Sequence, residues 1–464
     1  MRTTRPRPIA TIVCVFLSAA ALRADDWPQW RGPERDSVWR ETGILESFPP
    51  DGLKILWHAA VGWGYSSPVV AQGRVFLTDA QLTPPNAQER VHCFDAASGK
   101  AIWTFTSDAG YPDWVFTVEG HRGPTPTPLV REGKLYVLGG MGVLSCFDAA
   151  TGQVIWKKDL GKDYEMQVPD FGTDASPLIE GDLLILLIGG KAGAGVVALD
   201  RNTGQEAWRA LDERRPYSSP IVITAGGSKQ LIVWTEQAVT SLNPATGKTW
   251  WRQRNPITDY AVATPVCSDG MLLLSGLMLK LDPDKPDASM LWPDKLSRQV
   301  LSNTSTPLLQ DGYVYSGKSS GQFVCLEANT GKEVWQSDKV TDVKSGASMH
   351  LTSNGDRVLI FNDRGELILA RLSGAGYQEI SRAALLKPTY SYGGRDVVWV
   401  PPAYANRCVF ARSDQELVCA SLAAGEEEAA HEGVVRQRGG SQGTAAHGVL
   451  RWTHERCAHH VCAR

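Results

Sequence analysis

Six residues stand at, or just ahead of, a recurrent signature of small residues and proline: Tyr65, Arg122, Tyr217, Tyr260, Asn303 and His350. Tyr390 and Tyr392 approach a weaker copy of it. If the signatures line one opening, these rings can stack on a flat cofactor, and Arg122, Arg215 and Arg298 can meet carboxylates in a bidentate fork. Asp113, Asp170 and Asp259 are acidic residues expected on the same side. The plainer reading, channel packing and hydrogen bonds between repeats, is preferred, and no catalytic residue is assigned. Other chemistries are not read here: no His-Glu-x-x-His helix occurs, and neither a nucleophile elbow nor a phosphate loop is assigned. His58, His92, His121 and His350 are too scattered to signal a metal site, and none is expected.

What must position these residues is a repeat. Phe94-Asp95-Ala96-Ala97-Ser98-Gly99-Lys100-Ala101-Ile102-Trp103 returns as Phe147-Asp148-Ala149-Ala150-Thr151-Gly152-Gln153-Val154-Ile155-Trp156. Further copies end at Trp208, Trp251 and Trp335. A strand ends at an Asp whose carboxylate can accept the following amides. Gly99, Gly152, Gly204, Gly247 and Gly331 then sit where a hairpin needs a positive φ. The next strand presents a tryptophan, which buries roughly 150–250 Å². Trp57 holds the same place in a strand with no hairpin partner before it. Strands near 407–413 and 416–422 lack a tryptophan-bearing partner of their own. Pairing the two ends closes a ring.

The openings are Ser66-Ser67-Pro68, Thr125-Pro126-Thr127-Pro128, Ala175-Ser176-Pro177, Ser218-Ser219-Pro220, Ala263-Thr264-Pro265 and Ser305-Thr306-Pro307, with degenerate copies near His350 and Pro401. Eight openings, each followed by short strands with turn signals, predict an all-β, eight-bladed β-propeller of four-stranded antiparallel blades. Cys93, Cys146, Cys325 and Cys419 recur at one place in four repeats and read as core thiols.

Residues 1–24 open with Arg2, Arg5 and Arg7 and continue with a short apolar run, the pattern of a secretory signal peptide, so the product is expected to be exported. Residues 25–53 form an N-terminal arm, 54–422 the propeller, and 423–464 an atypical tail expected to be disordered. That tail's composition raises a departure of reading frame after Leu422, and its Cys457, His459, His460 and Cys462 are read as incidental. No later segment is long enough to span a membrane. A formal charge of −3 offers no basic field for nucleic acid.

Blades of the form Asp-x-x-Thr-Gly-x-x-x-Trp resemble the pyrroloquinoline-quinone (PQQ) type repeat of quinoprotein dehydrogenases and of the outer-membrane-protein assembly propellers. The opening Trp27-Pro28-Gln29-Trp30-Arg31-Gly32-Pro33 is similar to that of an exported bacterial PQQ-like group. The resemblance implies either an enzyme using PQQ with calcium or a non-catalytic scaffold. The enzymes need a calcium site, an aspartate base and usually two adjacent cysteines, and this sequence has no adjacent cysteines. Extra length at 78–90, 104–123 and 157–174 decorates one face of the ring. It carries Tyr111, Asp113, Trp114, His121, Asp170 and Phe171 as a contact surface for a protein or small-molecule ligand. The expectation is an exported, monomeric binding or assembly scaffold without cofactor. The alternatives are a PQQ-dependent alcohol or sugar oxidoreductase and a self-assembling surface protein. A calcium-sized oxygen cage beside an aromatic slot would favour the enzyme, and a channel filled by side chains the scaffold.

Overall fold

A computed structural model describes residues 25–425 except 118–119, 121, 167, 169–171, 214–216, 258–261, 294–300 and 303. The signal-peptide and tail segments therefore lie outside the described residues, apart from 423–425. Eight four-stranded antiparallel sheets follow one another as propeller blades. Blade 1 comprises Val69–Ala71, Arg74–Thr83, Asn86–Asp95 and Ala101–Ala109. Blades 2 to 7 begin at Leu129, Leu178, Ile221, Val266, Leu308 and Met349. Blade 8 takes Ala403–Ala405, Cys408–Arg412 and Glu416–Ser421 from the end of the propeller and Ile55–Ala60 from its start, with Trp57 opposite Cys419. Closure by the N-terminal strand is thus as expected. The four recurrent cysteines are buried, free thiols.

The hairpins form as their composition demands. Asp95 Oδ1 accepts the Ser98 amide at 2.8 Å and Asp148 Oδ1 that of Thr151 at 2.8 Å. Gly99 and Gly152 have φ of 68° and 74°. These glycines have a second duty across the blade boundary. A Cβ on Gly99 would lie 2.5 Å from the Trp57 ring, and one on Gly152 2.6 Å from that of Trp103. Each tryptophan therefore docks on the turn of the next blade. Its indole donates to a carbonyl there: Trp57 to Ala96, Trp103 to Ala149, Trp156 to Arg201 and Trp208 to Pro244. Trp335 donates to Ser373 O. Trp251 departs from the rule, because the next hairpin has no glycine; its indole donates to Gln230 Oε1 of its own blade at 2.7 Å. Trp292, which the pattern did not flag for want of a Thr-Gly pair before it, is a full member, donating to Ala328 O at 2.8 Å over Gly331.

The Ser/Thr-Pro openings link the innermost strands. The amide of Ser67 donates to Thr127 Oγ1, that of Thr127 to Ser176 Oγ and that of Ser176 to Ser219 Oγ, at 3.2, 3.0 and 2.9 Å. Thr264 N donates to Thr306 Oγ1, and Met349 N to Ser305 Oγ. Proline has no N–H, so the hydroxyl before it supplies the link to the neighbouring blade.

The seam between blades 8 and 1 is the most charged part of the interior. The fully buried Asp79 accepts two 2.7 Å bonds from Arg90 and one of 2.6 Å from the Gly62 amide, with His92 Nε2 at 3.1 Å. Burial would raise its pKa, but the hydrogen bonds from His92 and Arg90 outweigh it and hold it well below the usual carboxylate range. Arg412, also fully buried, donates to the carbonyls of Ser413, Thr78 and Gly62, tying the closing strand to blade 1.

The N-terminal arm enters the channel. Trp27 pairs with Val70 of blade 1, Pro28 O accepts Val130 N of blade 2, and Arg35 donates to Pro177 O ahead of blade 3. Trp30 donates to Thr264 Oγ1 at the mouth of blade 5, and Trp39 N to Ser353 O of blade 7. Trp27 and Trp39 both pack on Tyr404 of blade 8. A segment with no strand pattern of its own is thus a stopper bonded to six blades.

Candidate functional site: the elaborated face and its channel mouth

Loops from the second to the third strand and links between blades emerge on one face, and that face carries the extra length. The stretch 78–90 proves to be strand rather than loop: Arg74–Thr83 and Asn86–Asp95 pair along their whole length, because the backbone groups find partners in a longer ladder. The link 104–123 begins as outer strand to Ala109 and then forms the 3₁₀ turn Asp113–Phe116. The link 157–174 contains the helix Leu160–Tyr164, capped by Asp159, which accepts Lys162 N. A fourth elaboration, unmarked by the repeat, is the link 385–402, with the hairpin Tyr390–Tyr392 and Arg395–Val397.

This fourth link lies at one side of the channel mouth, against Tyr65. Trp399 lies 5.4 Å from Tyr390, 4.6 Å from Tyr392 and 6.3 Å from Tyr65, and Tyr65 meets Tyr390 edge-on at 5.7 Å. The Arg122 guanidinium sits between two rings, 5.8 Å from Tyr65 and 5.5 Å from Trp114. Among these side chains only about 10 Å³ is open, lined by Trp63, Tyr65, Tyr390, Trp399, Arg412 and Asp414. That admits about one water. Of the rings expected to stack on a ligand, Tyr65, Tyr390 and Tyr392 pack edge-on or tilted about Trp399 and one another. Burial raises the Tyr65 phenol well above its usual pKa, so it stays protonated.

His350 belongs to the same wall. Its Nε2 lies 2.8 Å from Trp399 O and 3.2 Å from Ser348 Oγ, and burial lowers its pKa to about 4 against the pull of the Trp399 carbonyl. It is therefore neutral, with Nε2–H donating to the carbonyl. Asp174 was not singled out in the sequence, although it stands one residue before an opening, in the slot that supplies the other mouth residues. Burial pushes it up to about 7, opposed by a hydrogen bond from Thr125 and the charge of Arg122.

The remaining candidates divide. Tyr217 is buried. Tyr111 is not displayed: its hydroxyl donates to Glu89 Oε1 at 2.8 Å, where the Gly140 amide also donates, so it knits blade 1 to blade 2. Asp113 and Trp114 are exposed, Trp114 to 38%. Tyr260, Asn303, His121, Asp170, Phe171, Arg215, Arg298 and Asp259 lie outside the described residues. Among the described residues no three His, Cys, Asp or Glu side chains gather to hold a metal.

Among the described residues no helix is long and apolar enough to cross a membrane. The family model described as outer membrane protein assembly factor BamB matches residues 87–273 and 235–459. The outer membrane protein assembly factor BamB of Burkholderia pseudomallei is 25% identical over 224 residues, 45% of this chain and 54% of that protein. The quinoprotein alcohol dehydrogenase PedH of Pseudomonas putida is 26% identical over 202 residues, 40% of this chain and 31% of that protein. The chain thus spans about half or less of the length of these relatives. Among solved structures, BamB from Moraxella catarrhalis superposes with a TM-score of 0.54 at 17% identity, covering 80% of this chain and 97% of that one. The quinohemoprotein alcohol dehydrogenase of Comamonas testosteroni gives 0.60 at 14% identity, covering 88% and 82%. At such identities the likeness is one of fold.

Proposed function

The chain belongs to the family described as outer membrane protein assembly factor BamB, and from that premise we propose that it is an exported, monomeric scaffold that binds a protein partner through its elaborated face and carries out no chemistry. The observation that supports this reading is the close packing of Tyr65, Tyr390 and Trp399, which leave about 10 Å³ between them at one side of the mouth, together with the arm that occupies the channel. A protein that handles partners in assembly needs a rigid ring and an irregular, partly aromatic surface, and Trp114 with the 3₁₀ turn around it is such a surface. Exposed apolar residues on the outer strands, such as Ile102, Ile155 and Val334, belong to different blades, which fits a monomer better than self-assembly.

The second reading, a PQQ-dependent oxidoreductase, is favoured by the match to a quinoprotein alcohol dehydrogenase. Calorimetric titration of the exported protein with PQQ and calcium, alongside dye-coupled assays with alcohols and sugars, decides between the two. The scaffold reading expects neither heat nor turnover. Stoichiometric binding with turnover would overturn it and return attention to Arg122 and Asp174.

A further inference from the structure

The arm brings two arginines into the channel. Arg31 and Arg35 are 8% and 6% exposed, and their charges lie close enough to oppose each other. Neither has a carboxylate partner among the described residues. Arg31 donates to Ser37 Oγ and Asp36 O; Arg35 donates to Gln29 Oε1, Pro177 O and Ser176 O, and its Nε has no partner. Asp36, whose charge favours the Arg31 cation from a distance, gives its carboxylate oxygens to Val38 N and Arg40. Two desolvated cations with neutral acceptors are costly unless an anion joins them.

A cavity of about 30 Å³ opens beside Arg31, lined also by Trp27, Trp30, Ser67, Thr306 and His350. On a scale where roughly 10–15 Å³ holds one water, it takes a body of one or two atoms. The Ser67 hydroxyl, on a residue 3% exposed, lines this space without a partner. Thr306 Oγ1 accepts Thr264 N and keeps its own proton to donate. These donors line one cavity, and no carboxylate lines it with them. We propose that the space between the arm and the openings of blades 1 and 6 is a binding site for a small monovalent anion of halide size, held by Arg31, Ser67 and Thr306.

The test uses the full exported chain, moved into gluconate buffer at fixed ionic strength and titrated with sodium bromide while Tm is followed. The site predicts a saturable rise in Tm with bromide that sulfate does not reproduce. Ser67→Ala should weaken the apparent bromide affinity several-fold, and Arg31→Met should abolish the response. No rise in the wild type, or the same rise in all three proteins, would overturn the proposal. Should Arg31→Met fail to fold, bromide anomalous diffraction from wild-type crystals decides: a peak beside Arg31 supports the site, and its absence there refutes it.

Discussion

The two faces of the ring are built on opposite principles. On one, the hairpins are near-copies: Asp95 and Asp148 accept the same amides, Gly99 and Gly152 share a φ, and each carries the tryptophan of the blade before. On the other, links among the described residues differ: a 3₁₀ turn after blade 1, a capped helix after blade 2, a two-stranded hairpin after blade 7. Repetition holds the ring together, since each blade contacts chiefly its neighbours and one staple serves them all. Departure from repetition is where recognition can be placed without disturbing it. Substitutions on the two faces should therefore fail in different ways.

The largest expected effect lies where the ring closes. Asp79→Ala leaves the buried side of Arg90 and the Gly62 amide without their acceptor, which should cost about 3–5 kcal/mol. Because native Asp79 has a depressed pKa, its contribution is fully present above the unfolded value of about 4 and fades as pH falls through the native one. Denaturant melts at pH 7 and pH 3 should show the difference between wild type and Asp79→Ala narrowing in acid. An undiminished gap at pH 3 would mean that the loss in Asp79→Ala does not come from the ionised carboxylate, and no gap at pH 7 would mean that the seam is held by Arg412 and packing alone.

That seam also marks the limit of what the sequence disclosed. The blade count, the closing strand and the staple residues were legible because a repeat multiplies its own signal. Trp292 was missed because its hairpin, around Asp282, lacks the Thr-Gly pair that marks the others. Asp79, His92 and Arg412 were illegible for another reason: a buried network assembled from strands 334 residues apart has no local spacing to betray it. The arm carried a motif but no periodicity, so its passage into the channel followed only from coordinates. At the mouth, Tyr65 contacts Arg122 and Tyr390, and His350 reaches the same wall through the Trp399 carbonyl, yet Trp399 and Asp174 stand outside any pattern.

The staple can be sharpened by a pair of substitutions between blades 3 and 4. Trp208 is 8% exposed and donates to Pro244 O, and a Cβ on Gly247 would lie 2.5 Å from its ring. Trp208→Ala should cost about 3–5 kcal/mol. Gly247→Ala combines a positive φ, worth about 1–2 kcal/mol, with overlap against the ring, worth about 1–3 kcal/mol. In the Trp208→Ala background the overlap disappears and only the backbone cost remains, so the double variant should be more stable than the summed losses predict. Additive losses in chemical denaturation would show that the indole does not rest on that turn. Trp251, whose bond is to Gln230 of its own blade, offers the contrast: its loss should not couple to any glycine of blade 5.

The smallest stability effect belongs to the other face and has the most to say about function. Trp114 is exposed on a short 3₁₀ turn, and its visible contact is with Arg122. Trp114→Ala should therefore change stability by no more than about 0.5–1 kcal/mol, the range of an exposed cation–π pair. If the elaborated face is the contact surface, the same substitution should still abolish capture of a partner protein. A photo-reactive residue at Asp113 should crosslink that partner in cells, while one at Ile102, on an outer strand of the ring, should not. The two readouts separate because a recognition residue is held by the fold without holding it up. A loss of stability matching that of Trp208→Ala would place Trp114 among the staples and move the contact surface elsewhere, and crosslinking from Ile102 but not Asp113 would assign it to the rim.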